Sequence, residues 1–156
     1  MKGKKKRSGR RRAPSPALVR ILVCDDQKMI RARVRRILEE IPWVTIVGEA
    51  ADGKSGVVMA LELTPNVVLM DVSMPELDGI EATRQILAQS PGIRIVGFSA
   101  DSSTETVRRM FAAGARGFLS KTGEPSEFIQ AVQTVMAGES FINIQPVNAP
   151  IKFRRE

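Results

Sequence analysis

The sequence predicts an α/β protein in which a parallel sheet of five strands is covered by helices on both faces. Apolar runs of strand length alternate five times with amphipathic stretches between about residues 19 and 137. Parallel strands joined by right-handed helical crossovers have this pattern. The central runs are apolar at every position rather than at alternate positions, as expected for strands that are buried on both faces.

The first two units lie within residues 19–64. Residues 19–24 predict the first strand, and a stripe of apolar residues then predicts a helix that Pro42 ends. Residues 44–48 predict the second strand, followed by a helix from Gly53 to just before Pro65. Four arginines fall mostly off the apolar stripe of the first helix, and we expect them to be solvated: Arg31, Arg33, Arg35 and Arg36.

The last three units complete the sheet. The predicted strands cover residues 67–71, 93–98 and 117–120. The helices after them begin at Gly79, at a capping hydroxyl among residues 102–104, and at Pro125. They end before Pro91, at Gly114 and near Ala137. Five such units in about 120 residues fit the flavodoxin-like strand order 2-1-3-4-5.

The charge is unevenly distributed along the chain. The net charge is +7, but nine of the 24 Lys and Arg residues lie within residues 1–20, which contain no acid. We therefore expect a disordered basic arm over residues 1–18 and a folded domain over 19–140. Residues 141–156 contain two prolines and are expected to be a C-terminal tail or the start of a linker.

Residue types that are rare or missing exclude several kinds of site. The chain has no histidine, so it has no histidine triad, no histidine metal site and no phosphohistidine of its own. The single cysteine, Cys24, excludes an internal disulfide, and its apolar surroundings predict a buried small hydrophobe. No apolar stretch approaches the ~18–20 residues that span a bilayer. We expect a cytoplasmic protein with no membrane partner.

Charged side chains stand at the ends of three predicted strands. Asp25 and Asp26 follow the first strand, Asp71 ends the third, and Lys121 follows the fifth. The carboxyl ends of parallel strands share one edge, so these groups are expected to meet there. Clustered carboxylates repel unless one is protonated or a cation lies among them, and Mg²⁺ prefers such oxygen ligands. Because a carboxylate can attack phosphorus, the pattern predicts a magnesium-dependent phosphoryl site, where the hydroxyl of Ser99 could also donate.

Four segments together resemble the receiver domain of two-component response regulators. They are Asp25-Asp26, DVSMPELDG at residues 71–79, FSA at 98–100 and GARGFLSK at 114–121. The resemblance covers about residues 19–140. KTG at 121–123, followed by AGE at 137–139, is similar to the LuxR/NarL-type branch. Most receivers carry a proline directly after the lysine, where this chain has Thr122.

The resemblance implies a signalling phosphoacceptor rather than an enzyme, with autocatalytic phosphorylation and dephosphorylation. Asp71 would accept a phosphoryl group from a sensor histidine kinase or a histidine phosphotransfer protein, and Lys121 would bind that group. Asp26, Asp71 and the main-chain carbonyl of Ser73 would be the Mg²⁺ ligands, with Asp25 acting mainly through water.

The resemblance also implies a conformational switch. The Ser99 hydroxyl would move to the phosphate and the Phe118 ring would turn inward, which alters the face of the fourth helix, fifth strand and fifth helix. A partner protein, a homodimer formed on activation or an output domain would read that face. Only 18 residues follow Gly138, so we expect no DNA-binding domain within this chain.

Two alternative functions stay open, and so do three roles for the basic arm. An aspartyl-phosphate phosphatase usually has Asp-x-Asp spacing on its first strand, which adjacent Asp25 and Asp26 lack. The other alternative is a receiver-like module that only binds partners and needs no phosphorylation.

The basic arm has three possible roles: a solvated tail, a contact with an anionic membrane surface, or binding of nucleic acid through phosphate contacts. The residues concerned are Lys4, Lys5, Lys6, Arg7, Arg10, Arg11 and Arg12.

Overall fold

A computed structural model describes residues 17–143, in which strands and helices alternate as predicted. The strands are β1 (Val19–Cys24), β2 (Val44–Ala50), β3 (Val67–Asp71), β4 (Arg94–Ser99), β5 (Gly117–Ser120) and β6 (Phe141–Asn143). The helices are α1 (Lys28–Glu39), α2 (Gly53–Leu63), α3 (Gly79–Gln89), α4 (Thr104–Ala112) and α5 (Pro125–Met136). The basic arm, except for its last two residues, lies outside the described residues, as does the chain after Asn143.

The strands form one parallel sheet in the order β2-β1-β3-β4-β5-β6. The predicted order 2-1-3-4-5 and the flavodoxin-like architecture are therefore confirmed. The sixth strand was not predicted: it begins at Phe141 and pairs in parallel with β5, with Phe118 opposite Ile142. A strand of three residues shows no periodicity in the sequence, because its pairing depends on an edge that only the folded sheet provides.

Each face of the sheet carries its own apolar core, because successive strand residues point to opposite faces. On one face, Val67 and Leu69 of β3 pack with α1 and α5. On the other face, Val68 and Met70 pack with α2, α3 and α4. Cys24 belongs to this second core as a fully buried free thiol, as predicted, and burial raises its pKa.

Short polar side chains cap the N-termini of three helices, where they accept hydrogen bonds from main-chain N–H groups of the first turn. Asp52 accepts from Ser55 N at 2.7 Å, and Asp78 accepts from Glu81 N at 2.9 Å. Ser103 accepts from Thr106 N at 3.2 Å and is thus the cap among the three hydroxyl residues at 102–104.

The loop between β3 and α3 turns sharply, so that α3 starts against the end of β3. Glu76 has a φ of 71°, a left-handed conformation that is uncommon for residues with a side chain. At Gly79 a Cβ would collide with the main-chain oxygen of Asp71, and Gly79 N donates to Val72 O at 2.8 Å. A glycine is required here because the backbones of β3 and α3 approach closely.

No helix within residues 17–143 is long and apolar enough to cross a membrane.

Candidate functional site

The acids of the predicted site lie together at the carboxyl edge of the sheet. β1 and β3 are neighbours with Cys24 opposite Met70, so the residues that follow each of them adjoin. Asp25 is fully buried, Asp71 is 1 % exposed and Asp26 is exposed to solvent. One carboxylate oxygen from each of the three lies within 4.8 Å of the others.

Lys121 reaches the two buried acids from the end of β5. Its Nζ lies 2.7 Å from Asp25 Oδ2 and 3.1 Å from Asp71 Oδ1, and its side chain is 11 % exposed. Its main-chain N–H donates to Ser99 O at 3.1 Å, which ties the lysine to the tip of β4. Its ammonium group also lies 5.4 Å from the centroid of the Phe98 ring. The lysine therefore neutralises part of the acidic cluster.

One ammonium group does not fully compensate the acids. Burial, followed by the negative charge of Asp25, raises the pKa of Asp71 to about 6, although Lys121 opposes this rise. Burial alone would lower the pKa of Lys121, but its contacts with Asp25 and Asp71 outweigh burial and raise it. The cluster therefore keeps its lysine charged and resists ionisation of Asp71, as the repulsion argument predicts.

Part of this cluster is left without a hydrogen-bond partner. Asp71 Oδ1 accepts from Ser73 N at 3.2 Å, and Asp25 Oδ1 accepts from Gln27 N at 2.7 Å. Asp71 Oδ2 is buried and has no hydrogen-bond partner among residues 17–143. A buried polar atom without a partner is costly, and a carboxylate oxygen beside two further acids fits a divalent cation or a phosphoryl group.

The cluster opens into a cleft of about 610 Å³ between the β3–α3 loop and α4. The lining contains groups of both charges as well as apolar ones. It consists of Asp26, Val72, Ser73, Met74, Pro75, Asp78, Ile80, Asp101, Thr106 and Arg109. Of the three clustered acids, Asp26 lines the cleft, so the cleft adjoins the cluster at that residue.

The two residues of the expected switch lie on adjacent strands near this edge. Ser99 ends β4 and is 3 % exposed, and its Oγ accepts from Asp101 N at 2.9 Å. Phe118 in β5 is fully buried, next to Gly97 and Met110. The Phe118 ring thus lies inside the core.

Ser73, whose carbonyl is an expected metal ligand, is exposed and lines the cleft.

The prediction that all four arginines of α1 are solvated is wrong for two of them. Arg31 Nη1 donates to Asp25 O at 2.6 Å, and its Nε lies 3.3 Å from Glu49 Oε1. Arg33 donates to Lys121 O at 3.0 Å and to Gly123 O at 2.8 Å. Both hold main chain beside the acidic cluster. Periodicity could not reveal this, because a long arginine can leave the polar side of a helix and reach a neighbouring loop.

Comparisons with known proteins agree with this geometry. A family model of the response regulator receiver domain matches residues 21–133. The response regulator GacA of Pseudomonas protegens is 38% identical over 128 residues, which are 82% of this chain and 60% of GacA. The response regulator UvrY of Escherichia coli is 36% identical over 125 residues, 80% of this chain and 57% of UvrY. The chain thus spans about 60% of the length of these relatives.

Solved structures show the same fold. A LuxR-family two-component response regulator from Aurantimonas has a TM-score of 0.77 and 34% identity, covering 80% of this chain and 89% of that one. The signal receiver domain of the putative response regulator NarL from Mycobacterium tuberculosis has a TM-score of 0.77 and 31% identity, covering 80% of this chain and 100% of that one. Fold, acidic cluster and family match agree: the chain belongs to the response regulator receiver domain family of two-component systems, in its LuxR/NarL-type branch.

Proposed function

We propose that this receiver takes a phosphoryl group onto Asp71 from the phosphohistidine of a sensor kinase or phosphotransfer protein. The main support is that Asp71 Oδ2 is a buried carboxylate oxygen without a hydrogen-bond partner among the described residues. It lies in a cluster with two other acids, and a lysine contacts the other oxygen of the same carboxylate. A nucleophile with an open coordination position beside a cation is what phosphoryl transfer requires.

The same acids would hold Mg²⁺. Asp26 and Asp71 offer carboxylate oxygens, the main-chain carbonyl of Ser73 would complete the protein ligands, and Asp25 would act mainly through water. When bound, the ion neutralises charge on the phosphoryl oxygens. The exposed position of Asp26 at the cleft fits a metal that keeps several of its waters.

In the transfer, Asp71 Oδ2 bonds to phosphorus as the bond between phosphorus and the donor's imidazole nitrogen breaks. The bonding electrons leave with the imidazole, so the donor histidine is released neutral once it is protonated. Asp71 must be ionised to attack, and a pKa of about 6 leaves it mostly ionised at pH 7.5. Lys121, 3.1 Å from Asp71 Oδ1, would pair with the added negative charge.

The Ser99 and Phe118 pair would report the phosphoryl group to the face formed by α4, β5 and α5. The Ser99 hydroxyl accepts a hydrogen bond from Asp101 N. After phosphorylation it would give up this bond and donate one to a phosphoryl oxygen. Because Phe118 is already buried, its other position must be an exposed one, and phosphorylation would favour the buried ring. A partner protein, a second copy of the chain or an output domain of a longer protein would read the result.

A test separates this function from its two alternatives. Incubation with a small acyl phosphate should label the protein with one phosphoryl group when Mg²⁺ is present, and much less when it is removed. Repeated turnover of an added phosphate ester would indicate a phosphatase. An unlabelled protein that still binds a partner would indicate a receiver-like binding module that works without phosphorylation.

A second candidate activity belongs to the basic arm. Eight of residues 2–12 are Lys or Arg, with no acid among residues 1–20. Such an arm would bind nucleic acid through phosphates, releasing counterions rather than reading sequence. Binding to a DNA duplex should therefore weaken steeply with salt for the full chain and be lost when residues 1–16 are removed. Equal binding by both proteins would contradict the idea.

A further inference from the structure

Arg33 connects α1 to the turn that carries Lys121. The two terminal nitrogens of its guanidinium group donate to two main-chain carbonyls of that turn, Lys121 O at 3.0 Å and Gly123 O at 2.8 Å. The plane of donors in an arginine suits such a two-point contact. The guanidinium carbon also lies 5.9 Å from the ring centroid of Phe128, a fully buried residue of α5. The arginine therefore contacts both the turn and α5.

After the main-chain N–H of Lys121, the backbone of the turn is fixed mainly by local hydrogen bonds. Thr122 sits between the two carbonyls that Arg33 contacts, and threonine does not restrict the backbone as a proline would. Within the turn, Gly123 N donates to Ser120 O at 3.0 Å and Thr122 N donates to Ser120 Oγ at 3.2 Å. Both bonds are local. Lys121 N also donates to Ser99 O of β4 at 3.1 Å, which fixes the start of the turn but not the carbonyl groups that follow it. Arg33 adds a connection from another element, α1.

The Lys121 side chain extends from a backbone that Ser99 O holds on one side and Arg33 on the other. Its Nζ must sit within contact of Asp25 Oδ2 and Asp71 Oδ1 at once, 2.7 and 3.1 Å away. A long side chain can follow small movements of its backbone, but losing either contact leaves a buried carboxylate less compensated. A geometric error of about 1 Å in a reacting group can cost up to about 100-fold in rate.

We propose that Arg33 is a positioning residue for phosphoryl transfer. It clamps the main chain on both sides of Thr122 and so sets the reach of Lys121 to the acid that accepts the phosphoryl group. The inference rests on the proposed function of Asp71. The simpler view, that Arg33 only ties α1 to α5, predicts an effect on stability but none specific to Lys121.

The test compares three variants of the full chain. Arg33→Ala removes both hydrogen bonds, and Arg33→Lys keeps the charge but cannot bridge two carbonyls with a planar pair of donors. Arg36→Ala is the matched control, since Arg36 is an exposed arginine of the same helix. The measurements are the rate of labelling by a small acyl phosphate at saturating Mg²⁺, and the Kd for Mg²⁺ alone.

Arg33→Ala should label about tenfold more slowly than the parent, Arg33→Lys at an intermediate rate, and Arg36→Ala within twofold of the parent. The Kd for Mg²⁺ should stay within twofold in all of them, because the acids lie at the ends of β1 and β3, which Arg33 does not contact. Labelling of Arg33→Ala at the rate of Arg36→Ala would overturn the proposal. So would parallel losses of labelling and Mg²⁺ binding, which indicate general loosening. If Arg33→Ala fails to fold, Arg33→Lys at the parent's rate is the contradicting result.

A second readout does not depend on phosphoryl chemistry. The ¹⁵N NMR signal of the Lys121 ammonium should be visible in the parent, because two carboxylates slow its exchange with water, and should shift and broaden in Arg33→Lys. An unchanged signal would overturn the proposal. If the parent is not labelled yet its Lys121 signal moves in Arg33→Lys, then the proposed function fails while the clamp itself stands.

Discussion

The charge of Asp71 lowers the stability of the folded protein when no ligand is present. The folded pKa of about 6 lies above the ordinary value of 3.8 for an aspartate, so the folded state binds the proton more tightly than the unfolded state. Stability from this group is therefore highest below pH 4 and is lost as the pH rises from about 4 to about 6. At neutral pH the loss is on the order of 2–3 kcal/mol by linkage.

Replacing Asp71 with asparagine should recover part of this loss. In buffer containing a chelator at pH 7.5, Asp71→Asn should be about 1–2 kcal/mol more stable than the parent, because the neutral amide does not repel Asp25. At pH 4 the parent's Asp71 is protonated in the folded state, so the difference should nearly vanish. Urea unfolding at both pH values measures it. A variant less stable than the parent at pH 7.5 would contradict the view that Asp71 is strained by its neighbours.

At the scale of single elements, the start of α3 depends on how closely it approaches β3. Gly79→Ala should destabilise the fold by about 2 kcal/mol, since the new Cβ would collide with Asp71 O and the helix would have to move. Gly92→Ala is the control, because a Cβ there has nothing within 4 Å and should change stability by less than about 0.5 kcal/mol. Urea unfolding of both variants tests the prediction, and equal stabilities would contradict it.

The elements also show what a sequence can and cannot reveal. β3 and β5 have the predicted bounds, because an apolar run bounded by polar or turn residues is a local signal. The convergence of Asp25, Asp71 and Lys121 followed from strand topology alone. β6 and the two arginines that hold main chain were missed, because sheet-edge pairing and a side chain that reaches another loop depend on tertiary structure. Among the hydroxyls at 102–104, only the structure shows which one caps α4.

At the scale of the whole molecule, the sheet brings groups that are distant in sequence to one edge, and metal binding at that edge should stabilise the entire domain. A ligand that binds only the folded state stabilises it by about 2.7 kcal/mol at 100 times its Kd. Mg²⁺ should therefore raise the Tm of the parent by several degrees, and that of Asp71→Asn by clearly less.

Asp78→Asn is a suitable control for this melting experiment. Asp78 lines the same cleft but lies outside the cluster of three acids, and asparagine can replace it as the cap of α3. Its Tm should respond to Mg²⁺ as the parent's does. Equal shifts in the parent and Asp71→Asn would mean that any metal site excludes Asp71.

The intact mass after treatment with a small acyl phosphate and Mg²⁺ shows whether Asp71 is the residue that accepts the phosphoryl group. The parent and Asp78→Asn should each gain the mass of one phosphoryl group, whereas Asp71→Asn should gain none. Labelling of Asp71→Asn to the same extent as the parent, or no labelling of the parent, would contradict this role of Asp71.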